Sequence, residues 1–292
     1  MISISSEDYR LDALPELGGA VGALRFRDID LLRPTPPQAD EPLETAAFPL
    51  VPFVNRIAHG RFSFNGMEVR LRRNAPGQAH PLHGQGWRKP WRVESVHAGR
   101  VAMVFEHPAG EWPWPYLARQ VLSLGEQGLV VELSVENRGD RPMPAGLGWH
   151  PYLRRSPRLR LRTEVGCVWL TDEEGVPTRQ EDEAHFGDFS RGGRLPSDTG
   201  IDHCYSGWNG AAQVEWPEQM LCLRLTATEP LRWLHLYAPP GWDFFCIEPV
   251  THMPDALNRA ESAAVTGLTT LAPGERLTGE VRLSVVSLRA RP

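Results

Sequence analysis

Apolar and polar residues alternate with period two along most of this chain. Val101–Phe105, Leu129–Glu136, Leu159–Thr163, Leu221–Leu225, Trp233–Tyr237 and Val281–Leu288 each show a strand pattern with one face apolar. Phe62-Ser63-Phe64 and Val69-Arg70-Leu71 flank Asn65-Gly66, a pair whose tolerance of left-handed backbone suits a tight hairpin. The three-to-four-residue spacing of amphipathic helices is missing, apart from one or two turns expected within Asp255–Ala264. Short strands separated by Gly- and Pro-rich turns predict an all-β fold, a large antiparallel β-sandwich. With no linker, low-complexity tract or repeat in view, residues 1–292 read as a single domain.

Two segments depart from plain alternation. Phe244-Phe245-Cys246-Ile247-Glu248-Pro249 places one carboxylate after four apolar residues and before a proline; Gly148-Trp149-His150-Pro151-Tyr152 treats an imidazole the same way. Proline has no N–H for a ladder and pushes the preceding residue into extended geometry. Each segment therefore reads as a strand that carries its polar group to the rim and stops there. A carboxyl in a half-dry setting resists ionising, which moves its pKa toward neutral pH.

Composition narrows the field. The 27 glycines and 27 prolines exceed the roughly 12 % joint share of an average protein and fit a turn-rich fold. Apolar residues at 41 % and charged residues at 23 % fit a globular protein, and a net charge of −5 with mixed signs argues against a nucleic-acid partner. No apolar run approaches a membrane span, the N-terminus shows no secretory signal, and Cys167, Cys204, Cys222 and Cys246 lack CxxC spacing. A cytoplasmic protein with reduced thiols is expected, as monomer or homodimer.

Five places put polar residues beside glycine or aromatic neighbours. Arg56 offers a planar donor fork, or else a rim ion pair. His83 and Trp87 sit among Gly84 and Gly86; the indole is either core or a flat face for the C–H side of a sugar. His150 is an acid or a structural histidine, Asp202 a turn cap or a hydroxyl acceptor, and Glu248 a base or a rim salt bridge.

Asn55-Arg56-Ile57, Leu82-His83-Gly84, His150-Pro151-Tyr152, Ile201-Asp202-His203-Cys204, Cys246-Ile247-Glu248-Pro249 and Pro254-Asp255-Ala256-Leu257-Asn258 occur in that order. Together they resemble the aldose 1-epimerases, or galactose mutarotases, from about residue 20 to the C-terminus. The resemblance implies a galactose mutarotase-like supersandwich with an open sugar cleft. It also implies Glu248 as catalytic base, His150 as catalytic acid, and Arg56, His83 and Asp202 as sugar-binding residues. Gln85, where the family often has glycine, and Trp149-His150-Pro151-Tyr152 around the acid resemble a shorter bacterial subgroup.

Such a reaction opens the hemiacetal by removing the C1 hydroxyl proton while protonating the ring oxygen, turns C1, and closes the ring on its other face. Two protein groups suffice, so no cofactor or metal is expected. The expected pH profile is a bell whose acid limb belongs to Glu248 and whose alkaline limb belongs to His150. Alternatives are a glycoside hydrolase using Asp202 with Glu248, a non-catalytic carbohydrate-binding protein, a sugar-phosphate mutarotase drawing on Arg72, Arg73, Arg154 and Arg155, and a metal enzyme using His80, His83, His150 and Glu248.

Overall fold

A computed structural model describes residues 1–287. Two antiparallel sheets form the body, and their facing apolar sides make one continuous core. The larger sheet has eleven strands; its central run, in spatial order, is Ala47–Leu50, Gly148–Arg154, Phe244–Val250, Trp233–Ala238 and Ile201–Tyr205. The eight-stranded sheet carries Gly128–Asn137, Tyr116–Gly125 and Arg276–Ser287 among its strands. All six alternating segments form strands, although Leu159 precedes the strand Arg160–Thr163 and Leu288, the last residue of another segment, lies outside the described residues. Asn65-Gly66 joins Arg61–Phe64 to Met67–Arg70, and the expected helical turns are a 3-10 turn at Ala256–Asn258 and one α-turn at Ala263–Thr266. Among the described residues no helix is long and apolar enough to cross a membrane.

The continuous apolar runs follow from the central strands being covered on both faces. Every residue of Phe244–Val250 is buried. Phe245 and Ile247 enter the core between the sheets, whereas Phe244, Cys246 and Val250 join a second apolar cluster on the outer face. Strand parity puts Glu248 on that outer face as well.

One expectation about these strands fails. Neither strand ends at its proline: Pro151 and Pro249 lie inside Gly148–Arg154 and Phe244–Val250, and Pro249 pairs with Leu234 in mid-sheet. The ladder tolerates them because the two neighbouring strands share the defect. Gly148 pairs with Val250 and Tyr152 with Cys246, while pairing lapses over Trp149 to Pro151. The missing N–H groups of both prolines fall in one local opening of the ladder.

Candidate active site

A cleft of about 530 Å³ opens over the central strands on the outer face of the large sheet. That volume lies in the range of small-molecule sites. Its floor is set by register. With Gly148 against Val250 and Tyr152 against Cys246, residue 150 falls opposite 248, and His150 Nε2 lies 3.2 Å from Glu248 Oε1. On its other side Glu248 pairs directly with His235. The carboxyl is thus flanked by two imidazoles at the point where the ladder opens. Phe48 stacks on His150 at 4.6 Å between centroids and Tyr152 packs at 4.7 Å, which fixes the ring.

Burial dominates the proton affinities here. It pushes Glu248 up to about 8, against the opposing charges of His235 and Arg56. It pushes His150 down to about 3, and the charge on His235 lowers it further. Across the neutral range the pair therefore holds one proton, resting on the carboxyl. The two groups titrate as a unit.

Asp202 is the second residue of the Ile201–Tyr205 strand, hence a strand residue and no turn cap. Its Oδ1 lies 2.8 Å from His235 Nε2, and its Oδ2 accepts from Arg56 Nη2 at 3.1 Å. Burial alone would raise this carboxyl, but the His235 hydrogen bond and the Arg56 charge hold it well below the usual carboxylate range. His235 is raised in return: burial opposes its charge, and Glu248 and Asp202 outweigh burial. Arg56 also donates to Asn55 Oδ1 at 3.1 Å and Gln78 Oε1 at 3.3 Å. A turn at 172–176 closes over it; a Cβ on Gly175 would come within 2.5 Å of the Arg56 guanidinium carbon.

His83 and Asn55 both have positive φ, 56° and 54°. Such conformations persist only where surroundings hold them, and here each residue holds the other. His83 N–H donates to Asn55 O, and Asn55 N–H donates to His83 Nδ1, both at 2.9 Å. Accepting at Nδ1 leaves the imidazole proton on Nε2. Burial, with the charges of His150 and Arg56, lowers His83 well below the usual histidine range and keeps it neutral. The result is a fixed neutral donor on the cleft wall.

Glu248, His150, Arg56, His83 and Asp202 therefore line one cleft. Trp87 does not: it is fully buried, stacks on Phe48 at 5.3 Å, and donates its indole N–H to Leu82 O. The loop that presents His83 wraps this indole inside the protein. The aromatic wall comes instead from Tyr152, Tyr237, Phe244 and the exposed Trp242. His80 is turned away, its Nδ1 accepting from the His59 N–H and its Nε2 3.2 Å from Glu174, so the four-residue metal set does not converge. Arg72, Arg73, Arg154 and Arg155 also lie off the cleft, whose arginines are Arg33 and Arg56. Arg33 sits 3.7 Å over the Tyr152 ring while its Nη2 donates to Leu43 O and Thr45 O.

Sequence reasoning passed over His235. Alternation put it on one face with Trp233 and Tyr237, but nothing local marked that face as the cleft. Donor atoms of His150, Cys246 and Glu248 lie within 4.8 Å of one another. They could hold a soft divalent ion only after the thiol and the carboxyl lose protons that burial holds on them.

The sequence profile of the family Aldose 1-epimerase matches residues 1–284. The uncharacterized Escherichia coli K12 protein YphB is 32 % identical over 291 residues, 97 % of this chain and 98 % of YphB. A crystal structure from Escherichia coli K12 superposes with a TM-score of 0.90 at 32 % identity, covering 98 % of each chain. A galactose mutarotase-like protein from Clostridium acetobutylicum shares the fold, with a TM-score of 0.88 at 19 % identity over 98 % of this chain and 94 % of that one. With the family profile running nearly end to end and a relative alike over its full length, the chain belongs to the aldose 1-epimerase family.

Proposed function

We propose that this protein is an aldose 1-epimerase, an isomerase that interconverts the α and β anomers of a free sugar by acid/base ring opening and reclosure. The observation that carries this reading is the His150–Glu248 contact of 3.2 Å at the floor of a polar cleft. Mutarotation needs one group that accepts a proton and one that gives a proton, with their roles exchanged on reclosure. A pair that holds a single proton meets that requirement in both directions. Once the shared proton passes from Glu248 to His150 across their contact, the Glu248 carboxylate takes the C1 hydroxyl proton, His150 gives its proton to the ring oxygen, and the C1–O5 bond breaks to an aldehyde. After rotation about C1–C2, the C5 hydroxyl attacks the other face, His150 takes the hydroxyl proton and Glu248 returns one to O1. Each transfer contributes roughly 10²–10⁴-fold.

The remaining groups suit grip more than chemistry. Arg56, neutral His83 and ionised Asp202 offer donors and an acceptor in fixed directions, and the aromatic wall offers C–H contact. Because His235 and Arg56 already occupy Asp202, that carboxylate is committed to binding geometry. The test is polarimetry of freshly dissolved α-anomers across a panel of aldoses. The expected result is mutarotation faster than in buffer for at least one sugar; rates equal to the spontaneous ones throughout would overturn the proposal.

A further inference from the structure

His235 is the buried titratable group that the two-residue scheme leaves without a task. It is 3 % exposed, lines the cleft, and stands directly across the strand pair from Glu248. Side chains opposite one another on antiparallel strands approach to about 5 Å. Its Nε2 is anchored on Asp202 at 2.8 Å. A ring that only filled space would not be fastened to an ionised carboxylate.

We propose that His235 is a positioning residue for proton transfer: an imidazolium held between Asp202 and Glu248, its charge makes the proton shared by Glu248 and His150 easier to release. The inference rests on reading the site as an acid/base epimerase. The groups facing His235 account for the sign. Ionised Asp202 favours its charge, and Glu248 does so once it has given up its proton; Arg56 opposes it, and His83, His150 and His203 are the imidazoles nearby. Cys204, paired opposite it, keeps its thiol proton because burial raises that group. A positive charge beside the Glu248–His150 pair disfavours protons on both members, and both are lowered by His235. An acid buried this deeply would otherwise bind its proton too tightly to cycle. His235 thereby offsets part of what burial imposes.

Carboxyl and imidazole NMR titration of the whole protein tests the idea independently of turnover. In the wild type, His235 should remain doubly protonated above the ordinary histidine range. In His235→Gln, the Glu248 carboxyl should titrate higher by about one to three units, the effect of losing an opposite charge at that spacing. Both limbs of kcat/KM should move up with it, which a purely structural role would not cause. Should His235→Gln fail to fold, His235→Asn removes the same charge with a smaller side chain, and the Glu248 titration should again rise. A neutral His235 at pH 7, or a Glu248 titration unmoved in a folded variant, overturns the proposal. If the titrations behave as expected while no aldose is turned over, the charge role stands and the epimerase reading falls.

Discussion

Glu248 and His150 act as one titrating unit, and the structure reverses the order in which their limbs are assigned. The sequence suggested an acid limb from Glu248 and an alkaline limb from His150. With burial lifting the carboxyl to about 8 and lowering the imidazole to about 3, the one-proton form spans the range between. The kcat/KM profile should therefore be flat from about pH 4 to 7 and fall above about 8, as the pair loses its proton from the carboxyl side. A fall centred near pH 6 would show that the pair is not the titrating unit. Glu248→Gln should lower kcat by at least about 10²-fold, since the amide keeps shape but accepts no proton. His150→Asn should likewise lower kcat far more than it raises KM. Steady-state rates, corrected for spontaneous mutarotation, decide both.

Loops complete what the strands begin. The 172–176 turn reaches over Arg56, with Asp172 Oδ1 accepting the N–H groups of Glu174 and Val176 at 2.9 Å each. Gly175, at φ +81°, has no room for a side chain against the guanidinium. Gly175→Ala should displace Arg56 from Asp202 and raise KM about ten-fold or more, the size of one charge-assisted hydrogen bond, with a smaller change in kcat. An unchanged KM would mean that Arg56 does not grip the substrate. Gly84 is packed more tightly, a Cβ there meeting Val51 O at 2.2 Å, so the loop that presents His83 admits glycine alone.

The large sheet separates stability from chemistry by its two faces. Phe245 is wholly buried between the sheets, whereas Glu248, three residues on, looks into the cleft. Phe245→Ala should cost about 3–5 kcal/mol in denaturant unfolding and leave kcat/KM of the folded fraction nearly intact. Glu248→Gln should show the converse, unfolding no more easily than the wild type at pH 7, because the buried carboxyl must take up a proton on folding and the amide need not. A stability loss in Glu248→Gln as large as that of Phe245→Ala would contradict the separation.

Alternation along Leu129–Glu136 or Leu221–Leu225 is enough to predict strands, because side-chain parity is a property of the extended backbone alone. The Asn65-Gly66 hairpin is legible for the same local reason. The polar groups embedded in apolar runs, Glu248 and His150, marked themselves as costly to bury, and burial cost is readable wherever the neighbours are apolar. Tertiary structure decided the rest. Whether Trp87 faced ligand or core depended on which side of its loop met Phe48. That both prolines could sit inside strands depended on their coming together in neighbouring strands 98 residues apart in sequence. His235 became a partner of Glu248 only through the register of Trp233–Ala238 against Phe244–Val250. A single chain segment states its own periodicity but not its neighbour, and the charge state of a buried group is set by its neighbours.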